Sequence, residues 1–213
     1  MSHTYTPTVL VVDDDISVRE SLELLILSVG WKAELFSSAQ EFLANSRCAG
    51  PCCLILDVNL PDLSGLDLQE RIAAERRDMP IIFLTGHGDI PKTVKAMKRG
   101  ALEFLTKPFD IDVLLNAIRL AIKRSEAALS RESAMNALRE GFDSLTRRER
   151  EVMTLVASGL MNKQVGRELG ISEITVKAHR GNVMRKMKAE SFADLVTMAT
   201  RLRVVRSWTT IAA

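Results

Sequence analysis

Several side chains in the first half of the sequence stand where short apolar runs stop. Cys52-Cys53-Leu54-Ile55-Leu56 ends on Asp57, Val9 to Val12 ends on Asp13-Asp14-Asp15, Ile81 to Leu84 ends on Thr85, and Leu102 to Thr106 ends on Lys107. If these runs are neighbouring parallel strands, their carboxyl ends bring carboxylates, a hydroxyl and an ammonium together, and such ends are where open parallel sheets bind ligands. Carboxylates crowded into partly shielded space repel one another, and a divalent cation relieves that repulsion. The oxygen set of Asp13, Asp14 and Asp57, with a backbone carbonyl just after Asp57, suits magnesium better than a soft metal. A carboxylate beside such a cation can attack a phosphoryl donor, and Asp57, alone at its strand end, is the candidate nucleophile. Lys107 would pair with the modified carboxylate or a phosphate oxygen, and Thr85 would donate a hydrogen bond to it. Taken singly, Asp13-Asp14-Asp15 reads equally well as a helix cap with a solvated corner, and Thr85 as a turn residue. The matching set at four strand ends favours a site.

A second chemistry lies near the carboxy terminus. Between Ser172 and Lys188 stand Lys177, Arg180, Arg185, Lys186 and Lys188 against one acid, Glu173, while Ile174, Val176, Val183, Met184 and Met187 are expected to turn inward. An exposed basic face on a helix that fits the major groove suits double-stranded DNA. A basic face alone is often only solvated surface, so the preceding turn decides the reading. Asn162 is expected to cap a short helix, Lys163 to Leu169. Gly170 then separates it from Ser172, which caps the basic helix.

The elements that must position these residues follow from periodicity. Four or five consecutive apolar residues suit strands covered on both faces. The intervening stretches repeat at three and four: Val18, Leu22, Leu25, Ile26 and Val29; Ser38 to about Ser46; Gly65 to Glu75; and Asp89 to Arg99, with Asp89 as the cap. Trp31 to Phe36 supplies a further strand, giving five strands and five helices in alternation. Asp110 to about Arg139 lacks Pro and Gly and is expected to run on as a helix, in preference to a broken linker, until Gly141 closes it. Thr146 and Glu149 then have capping-box spacing, and Ser191 with Asp194 opens a final helix whose Leu195, Val196 and Ala199 close a small core.

Bulk properties agree with two devices in one chain of 213 residues. Apolar residues at 46% and charged ones at 26% indicate a soluble folded protein, not a disordered one. Residues 1–123 hold 13 Lys and Arg against 17 Asp and Glu, whereas residues 124–213 hold 16 against 10. The acidic part can hold a cation and the basic part can face a polyanion. No run approaches ~18 apolar residues and the first residues lack an export pattern, so a cytoplasmic protein without membrane partners is expected. Cys48, Cys52 and Cys53 lack a metal-ligand spacing and read as small buried residues.

Residues 7–122 resemble the receiver domain of bacterial two-component response regulators. The resemblance is carried by Asp13-Asp14, by Asp57 before Pro61 and Gly65, by Thr85-Gly86 and by Lys107-Pro108-Phe109. It implies a doubly wound five-stranded parallel sheet of flavodoxin-like order 2-1-3-4-5, and phosphorylation of Asp57 by a sensor histidine kinase with Mg2+ or Mn2+. Asp14 would meet the metal directly, Asp13 through water, and Asn59 through its backbone carbonyl. The resemblance also implies a cis Lys107-Pro108 bond, a coupled movement of Thr85 and Phe104, and a dimerisation face including Thr93, Val94 and Met97. Asn59 and Leu60 depart from relatives that carry a basic residue and methionine there. His87 reads as a polar loop residue.

Residues 144–206 resemble the LuxR and NarL output domain, an all-α four-helix unit with a helix-turn-helix, and the domain order resembles the FixJ-like regulators. The matches are Leu145 to Val152, Asn162-Lys163, Leu169 to Ser172, Thr175 to Arg180, and Asn182 to Lys186. The resemblance places Lys177, Ala178 and Gly181 where relatives contact bases. Gly181 stands where relatives have lysine, which leaves Lys177 and Arg180 as the main expected contacts. Thr175, Asn182 and Arg185 are expected at phosphates or base edges, and Lys163 at the backbone. Gly166 replaces a usual alanine. The expected organisation is a receiver at 1–123, a helical linker at 124–142 and a DNA-binding domain at 143–213. The expected function is transcription activation by a phosphorylated homodimer on a roughly two-fold operator, with RNA polymerase as a partner. Two other readings are a constitutive DNA-binding regulator whose receiver is an interaction module, and a hydrolase of small phosphate esters, for which no water-activating base is evident.

Overall fold

The computed structural model describes residues 5–46, 48–73, 76, 78–86 and 90–205. The expected end of a helix at Glu75, the cap at Asp89, and His87 lie outside the described residues. The chain divides into two compact units, one reaching to Arg131 and one from Glu132.

In the first unit β1 (Thr8–Val12), β2 (Lys32–Phe36), β3 (Cys52–Asp57), β4 (Ile81–Thr85) and β5 (Glu103–Thr106) form one parallel sheet of order β2-β1-β3-β4-β5. The apolar runs became strands because β1, β3 and β4 are buried on both faces along their whole length, while the edge strands β2 and β5 are only partly covered. Alternate residues feed two cores. Leu10, Val12, Leu54, Leu56 and Phe83 pack with α2 (Ala39–Asn45), α3 (Gly65–Ala73) and α4 (Ile90–Lys98). Val9, Val11, Ile55, Ile82 and Leu84 pack with α1 (Ile16–Ser28) and with Leu114, Ala117, Ile118 and Ala121 of α5 (Ile111–Asp143). Cys52 and Cys53 fall into opposite cores as small buried side chains, as strand alternation requires.

Helix α5 is continuous over 33 residues and does not stop at Gly141. A β-carbon at Gly141 would lie 3.5 Å from the Lys186 carbonyl oxygen and 3.6 Å from the Met187 sulfur. These are ordinary van der Waals distances, so the position has room for a methyl group, and helical geometry continues through the glycine.

In the second unit α6 (Arg147–Ala157), α7 (Asn162–Leu169), α8 (Glu173–Met187) and α9 (Phe192–Arg201) surround Val152, Val156, Val165, Val176, Val183 and Leu195. Local chemistry fixes the helix starts. Thr146 and Glu149 close a reciprocal capping box on α6, and Ser172 and Ser191 accept from Thr175 N–H and Asp194 N–H at the starts of α8 and α9. For α7 the expected cap is displaced by one residue. Met161 is the N-cap and Asn162 the first helical residue, because Gln164 reaches back to accept from the Met161 N–H at 2.8 Å. Gly170, at φ 67°, makes the left-handed turn between α7 and α8. That turn closes tightly on Gly166, whose absent β-carbon would lie 2.7 Å from the Ile171 carbonyl oxygen.

Candidate phosphoacceptor site and DNA-facing helix

The parallel registers deliver the strand-end residues to one place. Val12 pairs with Leu56 and Asp57 with Leu84, so Asp13 and Asp57 leave adjacent strands side by side, and Thr85 pairs with Thr106 just before Lys107. Carboxylate oxygens of Asp13, Asp14 and Asp57 all lie within 4.8 Å of one another. Asp13 is 1% exposed and Asp57 7%, whereas Asp14 faces solvent. Asp15 has a different task. It caps α1, its carboxylate accepting the Ser17 N–H at 2.8 Å. The acidic triplet thus divides into two cluster members and one helix cap.

Lys107 Nζ stands 2.6 Å from Asp13 Oδ2 and 3.6 Å from Asp57 Oδ2, and its backbone N–H donates to the Thr85 carbonyl at 2.7 Å. The Lys107-Pro108 bond is cis. Burial pushes the Asp57 carboxyl above the usual carboxylate range, Lys107 pulls it back, and the charge of Asp13 pushes it up again. Asp57 Oδ1 also accepts from the Asn59 N–H at 3.4 Å. The donor set is all oxygen, partly buried and open to solvent at Asp14, which fits a hard divalent cation.

Gly65 belongs to this site, though the sequence marked it only as a helix start and as part of the receiver resemblance, without a physical task. A β-carbon there would come within 2.2 Å of the Asp57 carbonyl oxygen, and its N–H donates to the Val58 carbonyl at 3.0 Å. The segment after the acceptor returns onto its own backbone, and only glycine leaves room. Its position eight residues after a strand-end aspartate was the available signal.

Of the expected switch residues, Thr85 is buried, Thr93 half-buried, and Val94 and Met97 exposed on α4. Phe104 is half-buried, its ring 5.9 Å from that of Phe83 and packed against the core of the α3 and α4 face.

On α8 the expected inward residues Val176, Val183 and Met187 are buried and Met184 is half-buried, but Ile174 is 80% exposed. Position 174 lies on the side of the helix opposite Val183, so the run of apolar residues did not share one face. Thr175, Lys177, Ala178, Gly181, Arg185 and, on α7, Lys163 are exposed. Lys177 pairs with Glu173 at 3.3 Å, the Thr175 hydroxyl meets that of Ser172 at 2.8 Å, and Arg185 donates to Asn182 Oδ1 at 3.2 Å. Arg180 is more committed to the fold. Its guanidinium lies 4.3 Å from the Phe192 ring centre and donates to Asn162 Oδ1 at 3.4 Å, tying α7, α8 and α9 together.

Sequence reasoning also missed the partner of Glu149. Lys186 Nζ, 37 residues away, sits 2.6 Å from its buried carboxylate, and this hydrogen bond holds the Glu149 carboxyl below the usual range despite burial. No local pattern marks such a pair.

Comparison with known proteins agrees with both halves. Residues 9–119 match the response regulator receiver domain and residues 143–199 match the bacterial regulatory proteins of the luxR family. The chain is 50% identical to Nodulation protein W of Bradyrhizobium diazoefficiens, over 95% of this chain and 90% of that protein. It is 42% identical to the transcriptional regulatory protein FixJ of the same organism, over 91% of this chain and 94% of that one. Among solved structures it resembles the response regulator StyR, with a TM-score of 0.84 and 46% identity, covering 92% of this chain and all of that one.

Proposed function

The chain belongs to the FixJ-like two-component response regulators, a receiver followed by a LuxR-family helix-turn-helix domain that binds DNA, and from that premise we propose that phosphorylation of Asp57 controls its binding to DNA. The observation that carries this reading is the meeting of the Asp13, Asp14 and Asp57 carboxylates within 4.8 Å, with Lys107 beside two of them. An Asp57 carboxylate oxygen attacks the phosphorus of a kinase phosphohistidine. The O–P bond forms as the P–N bond breaks, and the leaving imidazole takes up a proton. Mg2+ or Mn2+, held by Asp13, Asp14, Asp57 and the Asn59 backbone carbonyl, would supply charge neutralisation for the phosphoryl oxygens. Lys107, at 2.6 Å from Asp13 and 3.6 Å from Asp57, pairs with a phosphoryl oxygen, and the Thr85 hydroxyl donates to another.

The proposed division is a receiver at 1–123, a helical linker at 124–142 and a DNA-binding domain at 143–213. Thr85 and Phe104 carry the change to a face with Thr93, Val94 and Met97, on which two phosphorylated receivers dimerise. The paired output domains then bind a roughly two-fold operator in the cytoplasm and engage RNA polymerase. Lys163, Thr175, Lys177, Ala178, Arg180, Gly181, Asn182 and Arg185 face the DNA, with Arg180 also bridging Asn162 and Phe192. No helix among the described residues is long and apolar enough to cross a membrane.

Incubation with acetyl phosphate and Mg2+ should add one phosphoryl group to the wild type and none to Asp57→Asn, and should increase dimer formation and retention on DNA. An unchanged wild-type mass would overturn the proposal in favour of constitutive DNA binding.

A further inference from the structure

The exposed isoleucine at the start of α8 has no task in the reading above. Singly exposed apolar side chains are common on protein surfaces, so exposure alone says little. Its placement says more. At about 100° per residue, Ile174, Ala178, Gly181 and Arg185 fall within roughly 60° of one another around the helix axis, with Lys177 about 40° further round. Val176, Val183 and Met187, all buried, lie on the opposite side. Ile174 therefore stands in the middle of the outward face, one turn before Ala178. Gly181 continues this strip without a side chain, and nothing lies within 4 Å of where its β-carbon would be.

The charged groups bound this uncharged stretch, Lys177 at its side and Arg185 at its far end. Lys177 is held by Glu173 at 3.3 Å. The first turn of a recognition helix is the part that meets base edges in the major groove. There, the one apolar group on any base edge is the C5-methyl of thymine.

We propose that Ile174, with Ala178 beside it, selects thymine through its C5-methyl group, so that Ile174 is a specificity-determining residue of this chain. The inference rests on the reading of α8 as the helix that enters the groove. Contact with a thymine methyl removes apolar surface of both partners from water. It makes no hydrogen bond and neutralises no phosphate. Loss of the methyl should thus weaken binding without altering its salt dependence.

The test begins with DNA recovered from a random pool by the phosphorylated full-length protein. Each thymidine of the recovered half-site is then replaced by deoxyuridine, which removes only the methyl group. The wild type should lose about fourfold in affinity at one or two of these positions. Ile174→Ala should bind thymine and uracil versions equally, with an unchanged slope of affinity against salt. Because Ile174 is exposed, this variant keeps its fold, which circular dichroism checks. The inference fails if the wild type is indifferent to every replacement, or if Ile174→Ala keeps the thymine preference. Failure to bind any DNA would overturn the groove reading itself, and the inference with it.

Discussion

The strand-end cluster and the outward face of α8 both gather charges of one sign, and they do so at opposite extremes of burial. In the receiver, Asp13 and Asp57 are almost wholly enclosed and Lys107 stands between them at 2.6 and 3.6 Å. Repulsion there is strong, and the charges of Lys107 and Asp13 both act on the Asp57 carboxyl. On α8, Lys177 and Arg185 are exposed to water, where each charge is screened and its coupling to neighbours such as Glu173 is weak. The lesson is one of coupling. The first site should fail as a unit when one residue changes, and the second should weaken in increments.

The largest expected effect is at Asp57. Asp57→Asn should abolish phosphoryl uptake from acetyl phosphate, measured by mass. The same change should raise thermal stability, because burial holds the Asp57 carboxyl above its usual range. The sign follows from linkage. A raised folded-state value favours the native protein below the ordinary aspartate range, and that advantage is lost as pH rises through the raised value. The gain in Tm from asparagine should therefore appear at neutral pH and vanish in acid. A gain that persists in acid would break the claim that the buried charge is its source.

Glu149 offers the opposite pH response in the output domain. Its carboxyl is held low, first by Lys186, so its stabilisation is present above the ordinary glutamate range and is lost as pH falls through the lowered value. Glu149→Ala removes half of a capping box and leaves Lys186 without its carboxylate, and should cost about 2 kcal/mol in chemical denaturation. Acid should thus relieve one half of the protein while weakening the other.

Smaller effects belong to the exposed helix. Lys177→Ala and Arg185→Ala should each weaken DNA binding and reduce the slope of log affinity against log salt by roughly 1, as single phosphate contacts do. Strong non-additivity in the double variant would contradict the picture of independent, screened charges. Smallest is Gly181→Ala. With open space around it, an added methyl should stabilise the helix by about 0.5–1 kcal/mol.

The same contrast separates what the sequence revealed from what it concealed. Strands β1, β3 and β4 could be read because burial on both faces leaves an unbroken apolar run, and the residue that ends each run was thereby placed. The capping box at Thr146 and the serine cap at Ser191 were readable because partners three residues apart need no tertiary knowledge. Contacts between distant segments were not. Glu149 finds Lys186 across 37 positions, Arg180 stacks on Phe192 of the next helix, and the helix runs through Gly141 to Asp143, where Lys186 and Met187 lie close by. Ile174 was misplaced for a subtler reason. Its spacing from Val176 is that of residues on different sides of a helix, and apolar character outweighed angle.

Gly65 sets a boundary on how this protein can change. Because the acceptor's own carbonyl occupies the volume of any side chain at that position, a saturation library should retain glycine alone there among phosphorylatable clones. Substitutions at the neighbouring exposed Asn59 should survive and vary chiefly in the lifetime of the modified protein. The doubling back of the chain thus confines diversification of the response to the rim of the pocket and keeps its floor invariant.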